Sequence, residues 1–337
     1  MSAIMSMSNA QFYLHIDDVL GPASKRFFGD GYRRVRQRLM DIRIDMDEPG
    51  RVRLSGAAEI GYPADWSVKE EFSELRPHLS TLDAAVIAIE LGEYYLAYWL
   101  RLCTDQRERA WLRSFEIKAG SKPQLDLSDV TAEAVVTAGE PVPSVAGTWI
   151  SSVQGRVGSL KFMFEIVHEP GTPREECWSS EGDCQLLGDH GARYYTEGFK
   201  RSGRDIEAIS VRPEIGSVNA LVTIREPGTA CAGLGAAYRP TLSMIDTLMT
   251  IAPMTQALLY NLDHVERKAS STLWMRRVQC AAARPSQPIS DPFTATVSIT
   301  KSRITEMQGM RWRSADMSYQ ILGMEGSLSV AHGLPTM

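Results

Sequence analysis

Two short strings hold residue types that can do chemistry, at spacings that bring them together. Residues 75–84 read LRPHLSTLDA and residues 239–246 read RPTLSMID. Each sets a serine three residues ahead of an aspartate at the head of an apolar run: Ser80 with Asp83, Ser243 with Asp246. That is the spacing of a capping box, in which the serine accepts from the fourth residue's amide and the fourth side chain reaches back. Glutamate or glutamine is usual at the far position, so aspartate makes a weaker box. The same place has a second use. The free amides and the dipole of a buried helix N-terminus favour negative charge. An oxyanion formed there is stabilised by about 3–4 kcal/mol per donor in well-studied cases. The amides of Leu79 to Leu82 and of Leu242 to Ile245 are the candidate donors. Capping and substrate contact both stay open for Ser80, Ser243, Asp83 and Asp246.

Where the two strings differ, chemistry has more room. His78 stands opposite Thr241, Glu90 opposite Pro253 and Glu93 opposite Gln256. An imidazole just ahead of a helix can act as a general base near neutral pH, or simply fill a loop. Glu90 lies inside AAVIAIELG, where a carboxylate needs a raised pKa or a partner. It would serve either as an acid–base group or as one half of a structural pair. Asp83 and Glu90 share a helix face roughly 10 Å apart, too far to share a proton. Glu93 is expected to face elsewhere. The loop YPADWS (62–67) adds Asp65 and Trp66 as substrate contacts, with Trp66 equally suited to ordinary packing. There is no metal-binding His/Cys pattern, no G-x-S-x-G elbow and no phosphate loop, since GTACAGLG (228–235) has neither the spacing nor a lysine. No cofactor or metal is expected.

The elements that must position these residues come in two sets. RFFGDGYRR (26–34) matches RYYTEGFKR (193–201) at an offset of 167, which also pairs Leu20-Gly21 with Leu187-Gly188. The serine strings match at 163, as do Trp111 with Trp274 and Arg113 with Arg276. Three matches in one order at nearly one offset indicate an internal duplication. A retained turn at Gly31 and Gly198 is the simplest reason for the first match. Each serine opens a long apolar helix, with Pro253 expected to kink the second. Alternating segments precede the helices (51–60 and 218–226), and strands follow them: 131–138, 147–153 and 159–167 in one half, 293–301, 304–312 and 317–324 in the other. Consecutive strands imply antiparallel hairpins, and a lone long helix must be covered by them. The expected class is α+β, a double hot dog of two curled antiparallel sheets, each wrapped around one central helix. The boundary is placed in the polar stretch 169–183, giving domains 1–175 and 176–337.

Composition sets the outer limits. With 337 residues, 44% hydrophobic and 23% charged, the chain can bury a large core. A net charge of −5 gives no support to nucleic-acid binding, and the run Arg33, Arg34, Arg36, Arg38 reads as a solvated face. Five scattered cysteines, no secretory leader and no apolar run of about 18 residues point to a soluble cytoplasmic protein with no membrane partner.

LGPASKRFFGDGYRRV (20–35), YPADWSVK (62–69) and LRPHLSTLDA (75–84) resemble the avirulence D family of plant-pathogenic pseudomonads. That family is associated with syringolides, acyl-sugar γ-lactone elicitors. The A-factor butenolide synthases look like distant relatives in design. The resemblance implies a condensing, acyltransferase-type enzyme. It would join a β-ketoacyl group, carried on coenzyme A or a carrier protein, to a ketose such as xylulose, without cofactor. On that reading His78, Asp83 and Glu90 are catalytic, and Asp65, Trp66, Ser80, Ser243 and Asp246 meet substrate. A homodimer is possible. The rivals are an acyl-thioester hydrolase, a hydroxyacyl dehydratase and a non-catalytic acyl-binding protein. A dehydratase would want a glycine four residues after its histidine, which the stretch after His78 lacks.

Overall fold

The structure, a computed structural model, describes residues 10–69, 75–142, 147–182, 184–225, 231–270, 273–285, 292–307 and 309–334. Its strands are β1 (Gln11–His15), β2 (Arg36–Glu48), β3 (Arg51–Gly61), β4 (Trp111–Lys118), β5 (Val130–Pro141), β6 (Trp149–Val157), β7 (Leu160–His168), β8 (Trp178–Ser179), β9 (Gly203–Arg212), β10 (Ser217–Arg225), β11 (Trp274–Ala282), β12 (Phe293–Met307), β13 (Met310–Ile321) and β14 (Met324–Gly333). The helices are α1 (Ile16–Leu20), α2 (Thr81–Tyr94), α3 (Thr104–Arg109), α4 (Phe199–Arg201) and α5 (Met244–Asp263).

Only α2 and α5 are long, and both are core elements. Every residue of α2 is buried, as expected of a helix that is apolar all round. It passes directly into a π-helical turn at Tyr95–Trp99. Helix α5 runs through Pro253 as one element of 20 residues. Among the described residues no helix is long and apolar enough to cross a membrane. The strands around them alternate: β2 buries Gln37, Leu39, Ile42 and Ile44 and turns Arg36, Arg38 and Arg43 to solvent. The stretch 304–312, expected as a separate strand, is the end of a long hairpin in which β12 reaches Met307 and β13 starts at Met310. Gln308, at its tip, lies outside the described residues. So do the first three residues of the glycine-rich stretch 228–235.

The expected two sheets are one. Among the described residues fourteen strands form a single antiparallel sheet in the order β1-β9-β10-β12-β13-β14-β11-β4-β7-β6-β5-β3-β2-β8. Each half would otherwise end at a strand with unpaired backbone groups, and pairing β4 with β11 removes both edges. The register there pairs Glu116 with Gln279, Ile117 with Val278 and Phe115 with Cys280. Glu116 and Gln279 are also the equivalent residues at the 163 offset. Equivalent positions therefore face each other, and a local two-fold axis passes between them.

The axis meets the chain a second time at the other repeated string. Tyr32 and Phe199, equivalent at offset 167, stack with ring centroids 6.1 Å apart. Arg33 donates to the carbonyls of Lys200 and, at 2.7 Å, Ser202, while Lys200 donates to Val35 O at 2.8 Å. Arg33 is thus a contact between the halves, not part of a solvated face. Gly31 and Gly198 are kept for space, because neither has a left-handed φ. A Cβ on Gly31 would lie 2.0 Å from Trp66 O, and one on Gly198 2.9 Å from Cys231 Sγ.

The halves also exchange their first strands. β1 pairs with β9 of the second half, and β8, its equivalent, pairs with β2 of the first. We retain 1–175 and 176–337 as a proposed division of the chain, with these flanking strands crossing it.

One substitution tests the glycine argument. Gly31→Ala should lower the thermal unfolding midpoint, because the atom it strikes is backbone and cannot rotate away; about 1–3 kcal/mol is expected for such overpacking. Gly50→Ala, with open space around it but φ +80°, should lose only the smaller cost of its backbone conformation. Equal losses would mean that space is not the constraint at Gly31.

Candidate functional site around the N-terminus of the first long helix

Ser80 caps α2 as the spacing predicts. Its Oγ accepts from Asp83 N at 3.1 Å, and Asp83 Oδ2 accepts from Ser80 N at 3.3 Å and Ser80 Oγ at 2.6 Å. Two further donors reach Asp83: Gln37 Nε2 at 2.7 Å and the Tyr62 hydroxyl. The carboxylate is fully buried and receives four hydrogen bonds. Three of the four fall on Oδ2 and one on Oδ1, so the group is committed mainly to the helix cap.

The second half repeats this arrangement with a cation. Asp246 accepts from Ser243 N at 3.0 Å, Ser243 Oγ at 2.8 Å, Ser202 Oγ at 3.1 Å, the Tyr194 hydroxyl and Arg204 Nη2. Arg204 is the equivalent of Gln37 at offset 167. Burial alone would raise the Asp246 pKa; the Arg204 charge and the bonds from Tyr194, Arg204 and Ser243 outweigh it and hold the group below 3.8. The tyrosines are not equivalent. Tyr194 matches Phe27, which has no hydroxyl, and Tyr62 supplies one from a different loop with its ring stacked 6.0 Å from Phe27.

His78 sits between the halves. Its ring lies 4.8 Å from that of Trp274 on β11 and 6.2 Å, edge-on, from that of Trp66. Its Nδ1 is 3.5 Å from Arg76 O, and burial lowers its pKa against the opposing pull of that carbonyl and of Asp83. The imidazole is therefore neutral near pH 7. Three residues on, the amides of Thr81 and Leu82 open the helix, and among the described residues neither has a hydrogen-bond partner. The Leu79 amide, also a candidate, is used by Gln124 O at 2.9 Å.

Trp66 is anchored rather than free: its Nε1 donates to Leu75 O at 3.1 Å, and its ring meets Phe27 and Tyr62 edge-on. Asp65 is 64% exposed and paired with Arg34, which lowers its pKa.

Glu90 belongs to another cluster. Arg193 Nη2 donates to its Oε1 at 2.6 Å, with both side chains buried. Glu93, expected to face elsewhere, joins it: its oxygens lie 3.7 Å from Arg193 Nη1 and from Arg107 Nε, too long for hydrogen bonds. Burial raises the Glu93 pKa to about 7 against the pull of both arginines. The structure thus gathers His78, Trp66, Ser80 and Asp83 in one place and puts Glu90 in a separate ion-pair group. Ser243 and Asp246 cap the other helix.

Sequence reasoning passed over Gln37, Tyr62 and Trp274 here. Trp274 had a signal in its match to Trp111; Gln37 had one in its offset to Arg204; Tyr62 had none. A groove of about 760 Å³ lies elsewhere, on the exposed face of the sheet over the β4–β11 seam, lined by residues such as Glu116, Gln279 and Ser318. None of the predicted site residues lines it.

Asp246 gives a stability prediction. A depressed carboxylate pKa stabilises the fold above 3.8, and that contribution is lost as pH falls through the lower folded value. Asp246→Asn should cost about 3–5 kcal/mol at pH 7, since it strands buried Arg204. In denaturant titrations the gap from wild type should narrow below pH 4. A gap independent of pH would show that Asp246 acts through packing alone.

Among solved structures, the chain is similar to a TesB protein of Mycobacterium avium subspecies paratuberculosis (12% identity, TM-score 0.38, covering 87% of this chain and 96% of that one). It is also similar to a putative thioesterase of Novosphingobium aromaticivorans (12%, TM-score 0.32, 87% and 98%). A trans-AT polyketide synthase dehydratase domain of Brevibacillus brevis gives 10%, TM-score 0.36, 87% and 96%. These scores are too low to bear on mechanism. No curated protein matches in sequence. The family described as Pseudomonas avirulence D protein (AvrD) matches residues 11–335, nearly the whole chain, and the chain belongs to that family.

Proposed function

We propose that the chain is a double-hot-dog enzyme that transfers a β-ketoacyl group from a thioester to a hydroxyl of a ketose, xylulose being the first to test, and that ring closure of the ester gives a γ-lactone. One observation carries the reading: a half-buried, neutral imidazole held between Trp66 and Trp274, three residues ahead of a helix whose first amides are unpartnered among the described residues. A thioester carbonyl over the Thr81 and Leu82 amides would have its tetrahedral oxyanion met by two N–H donors. His78 takes the proton of the attacking hydroxyl and returns it to the departing thiolate. The product is a β-keto ester. Its methylene, acidified by two carbonyls, then attacks the ketose carbonyl and water is lost. Glu90 is held in a buried ion pair with Arg193 and Asp83 in the helix cap, so His78 is the base for this step too. The donor's carrier, coenzyme A or a protein, is fixed by neither step.

Purified protein given a β-ketoacyl thioester and a panel of ketoses should form the lactone, read by mass spectrometry. His78→Gln should lower the rate by at least about 100-fold, the usual worth of a positioned base. Release of free β-keto acid at the same rate with and without ketose would instead make the chain a hydrolase. The pH profile is a separate check. A base is active when unprotonated, so kcat/KM should fall on the acid side with a midpoint below 6.5. A midpoint well above 6.5 would assign the base to another group, Glu93 first.

A further inference from the structure

The two aromatic walls of His78 come from opposite halves, and something must hold them at a fixed separation. Trp66 lies three residues before Lys69, and Trp274 four residues after Ser270. Lys69 Nζ donates to Ser270 O at 2.8 Å and to Ser270 Oγ at 3.1 Å. The Ser270 hydroxyl also meets the Tyr260 hydroxyl at 3.0 Å and Arg267 O at 2.9 Å. Arg267 reaches back across the same boundary, donating to Val68 O at 3.0 Å, Lys25 O at 2.9 Å and Ser67 Oγ at 3.3 Å. Lys69 is 8% exposed and Ser270 fully buried, so water does not substitute for these bonds.

We propose that Lys69, Ser270 and Arg267 form a clasp that fixes Trp66 against Trp274 and so positions His78. These are positioning residues, since none of them touches the imidazole, and their catalytic consequence rests on the reading of His78 as the base. The clasp is built to respond to pH. Burial, and then the neighbouring Arg267 charge, lower the Lys69 amine to about 8. Among the described residues, Arg267, Ser270 and, through Ser270, Tyr260 face it; Arg26 adds its charge on the far side of Arg267. Above pH 8 the amine loses its charge, and the bond to the Ser270 carbonyl loses its ionic component. The slot then loosens.

The test compares Lys69→Met, Lys69→Arg and Ser270→Ala with wild type by two readouts. The first is the NMR titration of the His78 ring. Lys69→Met should move its midpoint up toward 6.5 as water enters the slot, and Lys69→Arg should restore the wild-type value. Ser270→Ala, which keeps the carbonyl acceptor and serves if Lys69→Met does not fold, should give a smaller shift in the same direction. The second readout is kinetic: kcat should fall about tenfold in Lys69→Met, as expected of a misplaced base, with KM little changed. The alkaline limb near pH 8 should vanish there and move upward in Lys69→Arg. An unchanged His78 titration in folded Lys69→Met or Ser270→Ala, with only a lower unfolding temperature, would overturn the clasp. The titration needs no substrate, so it decides the clasp even if the thioester reading fails.

Discussion

The structure depends on one contact that a duplicated chain must make with itself. A two-fold interface requires one surface patch to complement its own copy. In this chain the patch is the turn bearing Tyr32 and Arg33, repeated as Phe199 and Lys200. Each cation donates to main-chain carbonyls of the opposite copy, so the contact tolerates Arg-for-Lys and Tyr-for-Phe exchange while its geometry stays fixed. Gly31 and Gly198 let each turn pack closely against its own half, Gly31 against Trp66 O and Gly198 against Cys231 Sγ. The β4–β11 seam then follows, because the same axis brings Glu116 opposite Gln279. The proposed slot of Trp66, His78 and Trp274 draws its walls from both halves and so depends on their register.

Within that frame the two helix caps are alike in outline and different in charge. Asp246 faces Arg204 and is held ionised; Asp83 has Gln37 in the same place and relies on neutral donors. A buried carboxylate without a cation needs every hydrogen bond it can get. That is why Tyr62 arrives from a separate loop where Phe27 replaced the expected hydroxyl. The loop holding Tyr62 also holds Trp66, so satisfying Asp83 and walling in His78 are done by one segment.

The periodic features were legible in the sequence. The helices at 81 and 244, their serine caps and most strands follow from apolar spacing and local hydrogen bonding, which act within a few residues. The single sheet was not legible, because pairing between Phe115 and Cys280 depends on the relative placement of distant strands. The exchange of β1 and β8 was hidden for the same reason. The string at 304–312 misled because alternation continues on both sides of a hairpin tip. For the site, His78 and Trp66 were found by type and place. Tyr62 left no trace, since a tyrosine in a loop looks the same whether or not it meets a buried carboxylate.

Glu90 shows where comparing the halves needs correction. Its replacement by Pro253 suggested that the first half alone kept a reactive carboxylate. The arginines explain the difference without chemistry. Arg26 and Arg193 are equivalent at offset 167, both are buried, and each must find an anion. Arg26 pairs with Asp17 in its own half. The equivalent of Asp17 is Cys184, so Arg193 has no such partner nearby and takes Glu90 from across the interface. A cysteine in place of the aspartate in the second half thus goes with a buried glutamate in the first. A residue unique to one copy marks function only after such compensation has been subtracted. His78 survives that subtraction, because Thr241 is satisfied within its own half through the Tyr238 and Pro285 carbonyls and leaves no charge for His78 to balance.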